Sequence, residues 1–248
     1  VKSYLYIGFV IVSFLIACGK IENADVKNPG TTPTTPSNPV GTKPDSARIV
    51  IIGSSTAAGM GATPVDSSWV NRLKLSTKEN KRILTYFNLG IVGLTTYQGI
   101  PKGSVQEGRP ETDTNHNVTA ALSFRPSLVI MSYPTNDVAN DYTDEEIMDN
   151  YKEIIYLLDA AKVKYIIFGT QPRNFPDGFH RTRLKTLNEK MKLAYGEHFT
   201  NIYDTLAAED GTIKTYLSYG DGIHLNNTGH NILYHMIADH AIFQEVIK

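Results

Sequence analysis

Cysteine is nearly missing from this chain: Cys18 is the only one in 248 residues. A single cysteine excludes an intramolecular disulfide and a cysteine-based zinc site. An excess of charge of one sign is missing too. Lys and Arg number 24 against 25 Asp and Glu, for a formal net charge of −1. That balance gives no electrostatic reason to expect a nucleic-acid partner. No run of like charges marks an interaction tail. No internal repeat is visible. The length suits one sizeable hydrophobic core and is short for two.

What is present starts at the N-terminus. Residues 3–17 are mostly apolar and follow Lys2. They have the layout of an export signal and are too short for a comfortable span of a roughly 30 Å hydrocarbon core. The run ends in Leu15-Ile16-Ala17-Cys18, which resembles the bacterial lipobox. The resemblance implies a signal peptide over 1–17 and a lipidated Cys18. It also implies membrane attachment through a lipid anchor, in a bacterial cell envelope, on the periplasmic face or the outer-membrane surface. An ordinary export signal with an incidental cysteine, or a short membrane anchor, are the alternatives. Residues 18–46 are polar and rich in Pro, Thr, Asn and Gly, the composition of a flexible tether.

From residue 47 to 248 the pattern is that of a folded domain. Apolar runs at 48–52, 83–89, 128–133, 165–168 and 199–203 predict strands. Helices are predicted at 68–75, from the capping box Thr143-Asp-Glu-Glu146 to about 161, near 180–195, and from about 228 to 246. Strands alternating with helices imply right-handed βαβ units and a parallel sheet of about five strands, covered on both faces. Trp69, beside Val70 and Leu73, is expected in the core.

Four segments carry chemistry. Gly53-Ser54-Ser55 follows the first strand, where small residues allow a sharp turn that presents a hydroxyl. It lacks the spacing of a dinucleotide fingerprint and the Lys of a P-loop. Asn88-Leu-Gly90-Ile-Val-Gly93 follows the second strand, and a glycine lets a backbone N–H approach developing charge. Pro134-Thr-Asn136-Asp137 follows the third; an Asn amide can donate to an oxyanion, and the same residues also form Asx turns. Asp221-Gly-Ile-His224 sets a carboxylate three residues before an imidazole, ahead of the last helix. A serine nucleophile needs such a pair, His to take its proton and Asp to fix the tautomer. Because these segments follow strands, they fall on one sheet edge, where open α/β sheets bind ligands.

Together the segments resemble the consensus blocks of the SGNH hydrolases, the GDSL esterase/lipase family, over about residues 47–245. The resemblance implies a flavodoxin-like three-layer α/β/α sandwich. It assigns Ser55 as nucleophile, His224 as base and Asp221 as its orienting acid. Ser55 N–H, Gly93 N–H and the Asn136 amide would form the oxyanion hole, with no cofactor and no metal. Two positions depart from the usual blocks, Ser54 in place of Asp and Pro134 in place of Gly.

Gln171-Pro-Arg173-Asn174 follows the fourth strand, so Gln171 and Arg173 are candidate contacts for a polar substrate. Arg109 in the long polar segment 94–116 is a weaker candidate. The histidines other than His224 read as surface or helix residues, with His116 and His180 placed to reach the cleft. The expected activity is hydrolysis of short-chain acyl esters, favouring O-acetyl groups on carbohydrate. Alternatives are a lipase or lysophospholipase, a glycan O-acetyltransferase, or an idle glycan-binding lipoprotein.

Overall fold

The computed structural model describes residues 45–104, 107–133 and 135–248. The signal peptide read at 1–17, lipidation of Cys18, nearly all of the 18–46 tether, and Pro134 lie outside the described residues.

Five strands build one sheet: β1 (Ser46–Gly53), β2 (Ile83–Asn88), β3 (Leu128–Ser132), β4 (Lys164–Phe168) and β5 (Phe199–Thr200). Their order is β2-β1-β3-β4-β5, and every neighbouring pair is parallel. This is the flavodoxin-like order, which opens a crevice at the carboxyl ends of β1 and β3, where the winding direction switches.

The helices are α1 (Ser55–Ala58), α2 (Trp69–Ser76), α3 (Thr96–Gly99), α4 (Val118–Ser123), α5 (Thr135–Ala139), α6 (Asp144–Ala160), α7 (Gly178–Tyr195), α8 (Tyr203–Leu206), α9 (Asn227–Ala238) and α10 (Ala241–Ile247). Strand periodicity assigns them to two faces. Val50, Ile52, Val129, Met131 and Ile167 point to one face and pack with Ile147, Tyr151, Ile154 and Leu158 of α6 and Leu184, Leu187 and Met191 of α7. Ile49, Ile51, Leu128, Ile130, Ile166 and Phe168 point to the other and pack with Trp69 and Leu73 of α2, Leu233 and Ile237 of α9, and Phe243 of α10. Burying each such aliphatic or aromatic side chain stabilises the fold by roughly 1.5–3 kcal/mol, before the entropy of ordering it. Trp69 is fully buried and meets Phe168 edge to face at 5.0 Å between ring centroids. The capping box at Thr143 is formed in both directions with Glu146.

The short helices α1, α3, α4, α5 and α8 were not expected from the sequence, and two expected elements differ in extent. The strand expected over 199–203 stops at Thr200, because Asn201 turns the chain. Its Oδ1 accepts from Asp204 N at 3.4 Å and from Asn188 Nδ2 at 3.0 Å, and α8 starts at Tyr203. The single helix expected over 228–246 is two, because the His240 ring caps a new helix by accepting from Ile242 N at 3.3 Å.

Candidate active site

The chain leaves β1 through Gly53 and enters α1 at Ser55 with no intervening loop. Ser54 N donates to Ser132 O of β3 at 2.8 Å, which fixes the turn to the neighbouring strand. Ser54 is buried, and its side chain makes no capping bond to α1. Ser55 is the first helical residue and is 7% exposed. Among the described residues, the N–H of Ser55 finds no acceptor, as expected for an orphan donor at a helix start.

The segment after β2 lies directly on α1. A Cβ built on Gly90 would come within 2.6 Å of both Ala57 Cβ and Ala58 N, so only glycine allows this approach. Asn88 Nδ2 donates to Ala57 O at 2.8 Å, and Ile91 N donates to Gly53 O at 3.1 Å. Gly93 sits at φ +86, with open space where a side chain would be. Its N–H, like that of Ser55, has no acceptor among the described residues.

Asn136, in the first turn of α5, is tied to the same segment: its Nδ2 donates to Leu94 O at 3.0 Å. Behind it, fully buried Asp137 accepts from Thr96 N at 3.0 and 3.1 Å and from Thr96 Oγ1 at 2.5 Å. Asn150 Nδ2 donates to Thr96 Oγ1 at 2.9 Å. Burial outweighs these bonds and pushes the Asp137 carboxyl up to about 7. Asn136 and Gly93 are thus held together through neighbours on both segments.

Asp221 and His224 lie at the tip of a short loop. The loop is closed by the antiparallel bridge Ser218↔Leu225 and by Tyr219 N donating to His224 O at 2.9 Å. Asp221 Oδ1 accepts from Ile223 N and His224 N, each at 2.8 Å, and Oδ2 meets His224 Nδ1 at 2.6 Å. The Asp-x-x-His spacing therefore lets one carboxylate cap its own turn and orient the ring. Desolvation pushes the Asp221 carboxyl up, but the bonds from His224 and Ile223 prevail and hold it down at about 2.

The loop docks on the segment leaving α1. A Cβ at Gly61 would meet Leu225 O at 2.1 Å and His224 Cβ at 3.3 Å, so the two stretches touch. Asn227, opening α9, donates to Thr63 O at 2.6 Å and accepts from Thr63 N at 2.8 Å. His230 is fully buried; its Nε2 bonds to Met60 O at 2.9 Å, and its Nδ1 accepts from Trp69 N at 3.5 Å. That pairing requires the neutral ring with its proton on Nε2, and burial lowers the His230 pKa accordingly. Trp69 Nε1 in turn donates to Thr56 O at 2.8 Å. The sequence places this loop just ahead of the last helix; that His230 helps tie that helix to the segment leaving α1 was not visible in it. Among the described residues, the Ser55 hydroxyl and the His224 ring make no hydrogen bond to each other; such bonds commonly tighten only with substrate in place.

Gln171 and Arg173 behave differently. Gln171 is 5% exposed, and its amide is bonded to protein at both ends. Arg173 is half-buried, with its guanidinium 5.0 Å over the Phe175 ring; among the described residues that guanidinium makes no hydrogen bond or ion pair. Burial lowers its pKa, opposed by the charge of Asp221. Arg109 pairs with Glu146 at 2.6 Å and lies 4.5 Å over the Tyr142 ring. His116 pairs with Asp113 at 2.9 Å, and His180 bridges Asp177 and Asp141 at 2.9 and 2.8 Å. Among the described residues, no group of three His, Cys, Asp or Glu side chains is arranged to hold a metal ion.

Residues 51–232 match the GDSL-like lipase/acylhydrolase family. No curated protein sequence matches the chain. Solved structures do. The psychrotrophic esterase EstA from Pseudoalteromonas sp., in a form inhibited by monoethylphosphonate, is 16% identical with a TM-score of 0.58, over 78% of this chain and 96% of its own. A GDSL-like lipase from Bacteroides thetaiotaomicron is 21% identical with a TM-score of 0.58, over 80% and 89%. A two-domain esterase active on acetylated mannans is 18% identical with a TM-score of 0.56, over 82% of this chain and half of its own.

Proposed function

Since the chain belongs to the GDSL-like lipase/acylhydrolase family, the SGNH hydrolases, and is a carboxylic ester hydrolase, we propose that it cleaves short-chain acyl esters through Ser55, His224 and Asp221. The favoured substrates are O-acetyl groups on carbohydrate. The observation that carries this reading is the Asp221–His224 pair, bonded at 2.6 Å on a loop that touches the segment leaving the Ser55 turn.

The chemistry follows from the groups. His224 Nδ1–H donates to the ionised Asp221, which leaves Nε2 as the acceptor for the Ser55 proton. Ser55 Oγ attacks the ester carbonyl carbon, and the carbonyl oxygen takes the negative charge. The N–H groups of Ser55 and Gly93, which have no acceptor among the described residues, supply donors for that oxyanion with the Asn136 amide. Collapse expels the alcohol, which receives the proton from His224. Water, deprotonated by His224, then attacks the acyl-enzyme and releases the acid.

Short acyl groups fit the polar character of the long segment 94–116, and the fold is shared with an esterase that acts on acetylated mannans. Lipid attachment at Cys18 would hold the enzyme in the envelope, where acetylated polymers are met. One observation favours the lipase or lysophospholipase reading instead: Met60, Ile91 and Val92, close in sequence to Ser55 and Gly93, are exposed apolar side chains. A p-nitrophenyl ester series from acetate to palmitate decides between them. Activity highest on acetate supports the short-chain reading, and release of acetate from acetylated glycan should follow. A preference for long chains overturns it. Acyl transfer that outruns hydrolysis when glycan acceptor is added would identify a transferase.

A further inference from the structure

Gln171 bonds a chain neighbour of Ser55, of His224 and of Asn136. Its Oε1 accepts from the hydroxyl of Thr56, the residue after Ser55, at 2.7 Å. Its Nε2 donates to the carbonyl of Ile223, the residue before His224, at 2.6 Å. Its backbone bonds Thr135, the residue before Asn136: Gln171 N donates to Thr135 Oγ1 at 3.2 Å, and Thr135 Oγ1 donates to Gln171 O at 3.0 Å. The amide orientation is fixed by chemistry, because only the NH₂ end can donate to the Ile223 carbonyl. Gln171, Thr56 and Thr135 are all buried.

We propose that Gln171 is a positioning residue that sets the His224 loop in register with the Ser55 turn and the Asn136 donor; the inference rests on the proposed roles of Ser55, His224 and Asn136. Nucleophile and base reside on segments far apart in the chain, and the His224 loop has a half-exposed tip. Covalent connection alone does not hold Nε2 at proton-transfer distance from Oγ. The Gln171 side chain adds a direct tie between the two segments: one end bonds the residue beside the nucleophile, the other the residue beside the base. The Thr56 bond is buried and the Ile223 bond part-buried, so removing the Gln171 amide would leave the Thr56 hydroxyl and the Ile223 carbonyl without this partner. Its backbone fixes α5 to the same point, so the oxyanion donor shares the reference. A displacement of about 1 Å in such an assembly costs about 10²-fold in rate.

The test compares Gln171→Met, Gln171→Glu, Thr56→Val, Thr56→Ser and Ser55→Ala in the full chain. Readouts are kcat and KM for p-nitrophenyl acetate, the rate at which an organophosphonate labels Ser55, and the thermal midpoint. Gln171→Met should lower kcat and the labelling rate together by about 10²-fold with KM little changed, because alignment and not substrate contact is lost. Gln171→Glu should do at least as much, since it sets an oxygen against the Ile223 carbonyl. Thr56→Val should lose activity and Thr56→Ser, which keeps the hydroxyl, should restore it. A folded Gln171→Met with normal kcat and labelling overturns the proposal, and so does a raised KM with kcat unchanged, which would make Gln171 a substrate contact. If Gln171→Met does not fold, the Thr56 pair decides: Val equal to wild type overturns it, and loss in Val with rescue in Ser supports it. Ser55→Ala that keeps full activity would sink the underlying site reading instead.

Discussion

Asp221→Asn isolates what the carboxylate does for His224. In the wild type, Oδ1 accepts two backbone N–H groups at 2.8 Å, and Oδ2 faces His224 Nδ1 at 2.6 Å. An asparagine in the same rotamer keeps Oδ1 under the two N–H groups and turns an NH₂ toward Nδ1. Nδ1 must then accept, so the ring proton moves to Nε2, where it blocks transfer from Ser55. The fold should be spared and the base of the proposed mechanism disabled. The expected loss in kcat is about 10⁴-fold, the size seen when a triad aspartate is replaced by its amide. Asp221→Ala removes the acceptor of both backbone bonds as well. It should cost a further roughly 0.5–1.5 kcal/mol of stability at this partly exposed position, whereas Asn should cost little. The assay is kcat for p-nitrophenyl acetate from pH 5 to 9, with urea unfolding of each variant. The pH sign is fixed by the lowered carboxyl: Asp221 stays ionised above the ordinary carboxylate range, and its contribution is lost only as pH falls toward about 2. A folded Asp221→Asn within tenfold of wild-type kcat would refute the tautomer argument.

Asn136→Ala should reduce kcat by about 10²–10³-fold with KM little changed, measured on the same ester. His230→Gln tests the buried latch between α9 and Met60. Because the folded pKa of His230 lies below its unfolded value, its contribution is present above about pH 6.5 and is lost as pH falls through the folded pKa. The urea midpoint of wild type should therefore fall from pH 8 to 5 more steeply than that of the variant. Asp137 has the opposite sign: with its carboxyl raised to about 7, its contribution is present at low pH and is lost as pH rises toward about 7. Asp137→Asn should remove that part of the pH dependence, read as the difference in urea midpoint between variant and wild type at each pH.

Much of this was legible in the chain. The strand and helix order follows from apolar periodicity, because the core faces are set by local alternation: Ile49 and Ile51 turn one way, Val50 and Ile52 the other. Three motif segments could be placed on one sheet edge because each directly follows a strand, and a parallel sheet carries those ends together; the Asp221–His224 loop is separated from β5 by α8 and reaches that edge through its contact with Gly61. What escaped depends on partners distant in sequence. Gln171 was recognisable as lying at that edge, but its bonds reach 115 residues back and 52 forward, and no local pattern encodes them. His230 looks like an ordinary helix residue until α2 and Met60 close over it. The break between α9 and α10 has neither Pro nor Gly to mark it; a histidine cap is too weak a signal to read. Asn201 was a turn residue inside an apolar run, and the run was read at the expense of the turn.

The central claim is that Ser55 carries the acyl group. The most direct measurement mixes p-nitrophenyl acetate with the enzyme, quenches in acid within the first turnover, and locates acetyl by peptide mass. The expected result is a burst of p-nitrophenol with acetyl on the peptide that contains Ser55, and neither in Ser55→Ala. Hydrolysis at full rate in Ser55→Ala, or acetyl trapped on another residue, would contradict it.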